Sequence, residues 1–264
     1  MSLKQLRFVK INPAGNVTIL YQIEDIDKKD IQKVSKISMD KLNLYAEQVG
    51  FINKTHLEMM GGEFCGNACR SFASYLAFKD TEFKNEKVYT ITCSGENVNL
   101  DVNVRALESK EMFLAKIKMP KNISIKILNF DEENKENKVC EVHFSGITHF
   151  IVESLTDYKD EKIICKIREY CKKKNCFTFG IMFLNLETLY MRPYVEVQDF
   201  GGVWENSCGS GTTAVGYYLK EYKDIDFAKI IQPGGWLEVS FKENEVFIDG
   251  LVKIIAEGVS YIDL

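Results

Sequence analysis

Hydrophobic positions along this chain alternate far more often than they recur at helical spacing. Between Asn97 and Val104 the alternation is unbroken, with Val98, Leu100, Val102 and Val104 on one face and Asn97, Asn99, Asp101 and Asn103 on the other. That period belongs to a half-buried strand. The same pattern predicts strands at Leu6–Ile11, Val17–Gln22, Val88–Cys93, Met112–Met119, Ile123–Phe130, Val139–Phe144, Thr148–Glu153, Ile181–Asn185, Thr188–Val197 and Trp236–Phe241. Surface helices are predicted at Met39–Val49 and Lys159–Lys174, the second with Ile163, Ile164, Ile167 and Cys171 on one side. Two further helices, Asn67–Phe78 and Thr212–Leu219, show no polar face, so each is expected to be enclosed by protein.

Each enclosed helix follows a glycine-rich turn containing a cysteine: Glu63-Phe64-Cys65-Gly66-Asn67-Ala68 and Glu205-Asn206-Ser207-Cys208-Gly209-Ser210-Gly211. The expected architecture is therefore α+β, with two pseudo-symmetric halves, each a curved, mostly antiparallel sheet wrapped around a central buried helix. The polar stretch Leu107–Glu111 sets the expected join, giving 1–110 with Cys65 and 111–264 with Cys208, the last strand being a candidate to return to the first half. A repeated module that presents one thiol from each half puts the expected site in the cleft between them.

Composition narrows the class. The 264 residues are 45% hydrophobic and 27% charged, as in an ordinary globular protein, and no apolar run is long enough to span a membrane. The net charge of −4 argues against a nucleic-acid partner. The one basic run, Lys172-Lys173-Lys174, ends a helix, where cations complement the dipole. The start of the chain lacks the pattern of a secretory signal, so a cytoplasmic location is expected and the eight cysteines are read as reduced thiols.

The chemistry follows from a cysteine placed at a helix start. Unpaired amides and the helix dipole favour thiolate, so a depressed pKa is expected at Cys65 and Cys208. The same amides bind anions, including a substrate carboxylate. Two such thiols on opposite faces of an α-carbon could invert it, one removing the proton and the other supplying one, while the amides stabilise the charge that builds on the carboxylate. Cys69, Cys93, Cys140, Cys165, Cys171 and Cys176 are read as small buried hydrophobes, and their spacing does not predict a metal site. His149, in Ser145-Gly146-Ile147-Thr148-His149-Phe150, is placed to influence a thiol or else to serve as a core histidine. His56 and His143 have no comparable context. A thiol hydrolase with His149 as base, or a non-catalytic amino-acid-binding protein, are the readings from other classes.

These residues bring a family into view. The chain resembles, over nearly its whole length, the diaminopimelate epimerase superfamily of two-cysteine racemases and epimerases that work without pyridoxal phosphate. The resemblance implies an isomerase with no cofactor, an amino acid as substrate, and a monomer or homodimer. It makes Asn16, in the turn after the first strand, and Gln48 substrate ligands, and it matches His149 and Asp199 to acid–base residues beside the thiols. It assigns the helix-start amides of Gly66, Asn67, Gly209 and Ser210 to the α-carboxylate. Departures concern the distal pocket: Phe200 stands where the diaminopimelate enzymes have an arginine, Ile147 replaces an asparagine, and Gly180 another. A buried distal carboxylate without its guanidinium is costly, which argues against diaminopimelate as substrate. The wording GGEFCGNA and SCGSG is closest to the histidine racemases of this superfamily. An imidazole is expected to stack on Phe200, beside open space at Gly180, and to bond Glu205 or Tyr45. Diaminopimelate epimerase itself is the runner-up within the family.

Overall fold

The computed structural model describes residues 3–130, 138–154, 161–176, 178–197 and 201–264. Its elements, in chain order, are β1 (Leu3–Asn12), β2 (Thr18–Gln22), α1 (Ile31–Met39), β3 (Gln48–Asn53), β4 (His56–Met59), α2 (Gly66–Lys79), β5 (Glu86–Cys93), β6 (Leu100–Ala106), β7 (Met112–Met119), β8 (Ser124–Asn129), β9 (Lys138–His143), β10 (Thr148–Glu153), α3 (Glu161–Lys173), β11 (Phe179–Asn185), β12 (Tyr190–Val197), β13 (Gly201–Trp204), α4 (Gly209–Lys223), β14 (Phe227–Gln232), β15 (Gly235–Lys242) and β16 (Glu245–Asp263). The protein is α+β and mostly strand. It forms two compact units, Met1–Lys118 with Asp249–Leu264, and Met119–Ile248.

In the first unit β1 and β2 are antiparallel, β2 and β3 parallel across α1, β3 and β4 antiparallel, and β4 and β5 parallel across α2. Strands β5, β6 and β7 continue antiparallel. Strand β16 pairs with both β7 and β1, so the ring of strands closes. Its ladder with β1 runs from Leu3↔Asp263 to Asn12↔Lys253, with a register shift at Lys10/Ile11. Leu6, Tyr21, Val49, Phe51 and Ile262 meet in one core cluster. Helix α2 is buried continuously from Gly66 to Ser74, which is why its sequence shows no polar stripe.

The second unit runs antiparallel through β8, β9 and β10, parallel from β10 to β11 across α3, and antiparallel to β12. Strand β13 folds back on β12, α4 follows, and β14 pairs parallel with β12 and antiparallel with β15. Glu243 and Asn244, both at positive φ, turn β15 into β16. Helix α3 buries Ile163, Ile164, Ile167 and Cys171 against Phe150, Phe179 and Ile181.

The structure corrects several local expectations. No helix covers Met39–Val49; α1 ends at Met39 and the chain is in β3 from Gln48. The helix was hidden because Ser35 and Ser38 lie on its buried face, their hydroxyls bonded back to the carbonyls of Ile31 and Val34 at 2.8 Å. Val98 is 59% exposed and precedes β6, so the perfect alternation there overshoots the strand. β3 was missed because Val49, Gly50, Phe51 and Ile52 are all buried and do not alternate. Cys165 is exposed and Cys176 only half-buried, so neither is a core residue.

Candidate active site

Cys65 is the residue that caps α2. Its backbone is extended (φ −132°, ψ 109°) and its sulfur accepts the Ala68 amide at 3.4 Å. The thiol donates to Gln48 Oε1 at 2.9 Å, and the Gln48 amide nitrogen donates in turn to Thr18 Oγ1 at 2.7 Å. Asn67, one residue into the helix, donates to Asn16 Oδ1 at 3.4 Å, and Asn16 donates to Glu47 Oε2 at 2.9 Å. Through the Thr18 hydroxyl, which donates to Asn16 O at 3.1 Å, Asn16, Gln48, Cys65 and Asn67 thus lie in one hydrogen-bonded neighbourhood, with Gly66 between the last two in the chain. Tyr45 is exposed.

Cys208 caps α4 in the same manner (φ −130°, ψ 113°), its sulfur accepting the Gly211 amide at 3.4 Å. Ser210 Oγ stands 3.6 Å from this sulfur and 2.9 Å from His149 Nε2. The imidazole therefore reaches the thiol through a hydroxyl rather than by touching it. The Glu205 carboxylate lies near enough to the Cys208 thiol to disfavour its ionisation. His149 is fully buried, and among the described residues its Nδ1 has no hydrogen-bond partner. A Cβ built on Gly180 stands 2.4 Å from that Nδ1, so the absent side chain at 180 is filled by the histidine ring and by Met182. The space expected there for substrate is occupied. Ile147 and Thr148 line a separate cavity of this unit.

Burial reverses the expected electrostatics. Although Cys65 keeps part of its surface exposed, desolvation pushes its thiol up to about 12; nearby Glu63 and Cys93 add to this, while the Ala68 and Asn67 amides oppose it. Cys208 is raised for the same first reason, with Glu205 adding and the Ser210 hydroxyl and Gly211 amide opposing. Two amide contacts at a helix start do not offset removal from water. Both cysteines rest as thiols. Burial likewise holds His149 neutral, down to about 3.

Asp199 and Phe200 lie outside the described residues. Two other side chains escaped the sequence reading. Arg70, the one charged residue in the apolar stretch Gly66–Phe78, is fully buried. It donates to Ala115 O at 2.7 Å, Asn67 Oδ1 at 3.0 Å and Leu251 O at 3.3 Å. Gln232 takes a buried register position after Ala228 and Ile230 in β14. It accepts the Cys208 amide at 2.8 Å and donates to Thr212, whose hydroxyl returns to the Cys208 carbonyl. A polar residue in an otherwise apolar register was the available signal in both cases.

The family model described as "Histidine racemase CntK N-terminal domain" matches residues 5–261. A histidine racemase of Fusobacterium nucleatum subsp. nucleatum is 54% identical over 260 residues, 97% of each chain. The chain belongs to this histidine racemase family. It is a racemase, hence an isomerase. A more distant member, the histidine racemase of Staphylococcus aureus, is 28% identical over 286 residues, with both chains fully covered. Among solved structures, a predicted epimerase from Pseudomonas aeruginosa aligns with a TM-score of 0.70 at 13% identity, covering 96% of this chain and 98% of that one. A PhzF-family phenazine biosynthesis protein from Bacillus anthracis aligns at 0.66 and 13% identity, covering 99% and 100%. These likenesses establish a PhzF-like epimerase fold. Among the described residues no helix is long and apolar enough to cross a membrane.

Proposed function

We propose that the enzyme interconverts L- and D-histidine by two-base proton transfer, using Cys65 and Cys208 without pyridoxal phosphate or a metal. One observation carries the reading: each of the two enclosed helices starts at a cysteine whose sulfur accepts the amide three residues on. The substrate preference rests on the relatives named histidine racemase. Diaminopimelate is excluded from this reading by Phe200 in the place of a guanidinium. The two units are taken as copies of one module, because both follow the order antiparallel, parallel, antiparallel, parallel, antiparallel in their strand pairs. Eight free cysteines support a cytoplasmic location.

In the proposed cycle the first amides of α2 and α4, at Gly66, Asn67, Gly209 and Ser210, receive the α-carboxylate, with Asn16 and Gln48 as further ligands. The two thiols differ in their partners. Cys65 donates to an amide oxygen of Gln48, whereas the Cys208 sulfur has the Ser210 hydroxyl and the Gly211 amide beside it, with the Glu205 carboxylate opposing its ionisation. In the direction of turnover that starts from Cys208, its thiolate is held by the Ser210 hydroxyl and the Gly211 amide. That thiolate removes the α-proton and becomes a thiol. Cys65 then gives its proton to the opposite face and is left as thiolate. The helix-start amides stabilise the enediolate-like charge in between. Asp199 is retained as an acid–base partner and Phe200 as a wall for the imidazole.

The test is proton NMR of a panel of L-amino acids, histidine and diaminopimelate included, with enzyme and reductant in D₂O. The expected result is loss of the histidine Cα–H signal with D-histidine on chiral analysis. Exchange of another amino acid in preference to histidine overturns the substrate. Cys65→Ser and Cys208→Ser are each expected to cut racemisation by roughly a thousandfold or more, and near-normal turnover by either ends the two-base reading.

A further inference from the structure

The second unit holds a pair of cysteines that the racemisation does not use. Helix α3 ends in a left-handed residue, Asn175 (φ 54°), with two closing hydrogen bonds: Asn175 N–H to Lys172 O at 3.2 Å and Cys176 N–H to Cys171 O at 2.9 Å. This cap brings the residue just past the turn against the one five positions earlier, normally as an apolar contact. Here both are cysteines, so the cap sets two thiol side chains against each other, with the Cys176 thiol donating to Thr178 O at 3.5 Å. Cys171 is buried in the core with Ile167, Phe150 and Phe179, and Cys176 packs on that cluster while remaining half-buried.

Both line a cavity of about 490 Å³, which Thr148, His143, Glu141 and Lys174 share. That volume is in the range of small-molecule sites. Thr148 precedes His149 on β10, and adjacent side chains of a strand face opposite ways, so this cavity lies across β10 from the His149–Ser210–Cys208 group. His143 Nδ1 and Thr148 Oγ1 are hydrogen-bonded at 2.8 Å.

We propose that Cys176, backed by Cys171, is a second thiol site that exchanges with a small disulfide entering this cavity and closes a Cys171–Cys176 disulfide. The Cys176 thiolate attacks one sulfur of the disulfide RSSR, forming Cys176–S–S–R and releasing RS⁻. Cys171 then attacks the Cys176 sulfur, its proton passing to the second departing RS⁻. The two protein thiols are oxidised to one disulfide, and RSSR is reduced to two thiols. The environment favours the first step: Cys171 first, then the Thr148 hydroxyl and nearby His143, hold the Cys176 thiol down to about 6 against its own burial, while its partner is pushed up. A thiolate at neutral pH is the attacking species in such exchange.

The test is wild-type protein treated with oxidised glutathione and mapped by peptide mass spectrometry, with the exposed Cys165 as internal reference. Cys176 is expected to react about tenfold or more faster than Cys165, despite its lesser exposure, and to end as a Cys171–Cys176 disulfide. Cys171→Ser is expected to stop at glutathionylated Cys176. Cys176→Ser is expected to leave Cys171 unmodified with racemisation unchanged. Modification of Cys165 ahead of Cys176, or a persistent mixed disulfide on Cys176 in the wild type, overturns the proposal.

Discussion

Ser210 stands between an imidazole and a sulfur, and its hydroxyl is the group that joins them. Because that hydroxyl favours the thiolate of Cys208, removing it raises a pKa that burial has already lifted. Ser210→Ala is therefore expected to lower kcat by about ten- to a hundredfold, within the range for loss of assistance to proton transfer, and to shift the pH profile of kcat further to the alkaline side. An unchanged profile would remove Ser210 from the relay. The profile of the wild type follows from the same burial. Both thiols are raised, so the thiolate that the proposed cycle needs for proton abstraction grows as pH rises, and kcat/KM is expected to climb through the alkaline range below about 12. A rate falling from neutral to alkaline pH contradicts this sign. Gly180 completes the group, since any side chain there strikes His149. Gly180→Ala is expected to destabilise the fold by roughly 1–3 kcal/mol through overpacking and to lower activity. In a double-mutant cycle with Ser210→Ala the activity losses should fall short of additive, because both act on one ring.

At the scale of elements, legibility in the sequence followed solvent contrast. β7 was read to the residue because inward and outward positions alternate in character, and α3 because Ile163, Ile164, Ile167 and Cys171 mark one face, while β10, buried from Thr148 to Ile151, was read from its run of β-favouring residues. Where contrast vanished, so did the signal: β3 is buried through Val49–Ile52, and α1 conceals serines on its inner face. The cysteine turns were legible because Gly66 and Gly209 follow the two thiols directly. Arg70 and Gln232 were not, since their roles depend on contacts from distant chain segments, with Leu251 and Cys208. Helix α4 shows how tightly an enclosed helix is held. A Cβ on Gly216 meets Val239 of β15 at 2.4 Å, so helix and strand approach as closely as a missing side chain permits. Gly216→Ala is expected to lower the melting temperature by several degrees, consistent with overpacking of about 1–3 kcal/mol. Val239→Ala in the same chain should recover part of the loss. If the double variant is less stable than the sum of the singles, Gly216 is not set by this contact.

For the whole molecule, the chain path decides which part can fold alone. The second unit is continuous, Met119–Ile248, with its core cluster of Val139, Phe150, Ile167, Phe179 and Tyr194 drawn from within it. The first unit is not, because residues 249–264 supply the strand that pairs with β1 along its whole length and put Ile262 among Leu6, Tyr21 and Val49. Without that strand β1 is an unpaired edge on one side and the cluster loses a buried isoleucine. The expected result is that a fragment of residues 119–248 gives a cooperative thermal transition, whereas 1–118 alone does not. Adding a synthetic peptide of residues 249–264 to 1–118 should restore the transition, with an apparent stability that rises with peptide concentration, as binding to the folded form alone requires. A cooperative transition for 1–118 without the peptide would mean that β1 to β7 with α1 and α2 suffice to hold the unit, and that β16 is an addition to it rather than its closing piece.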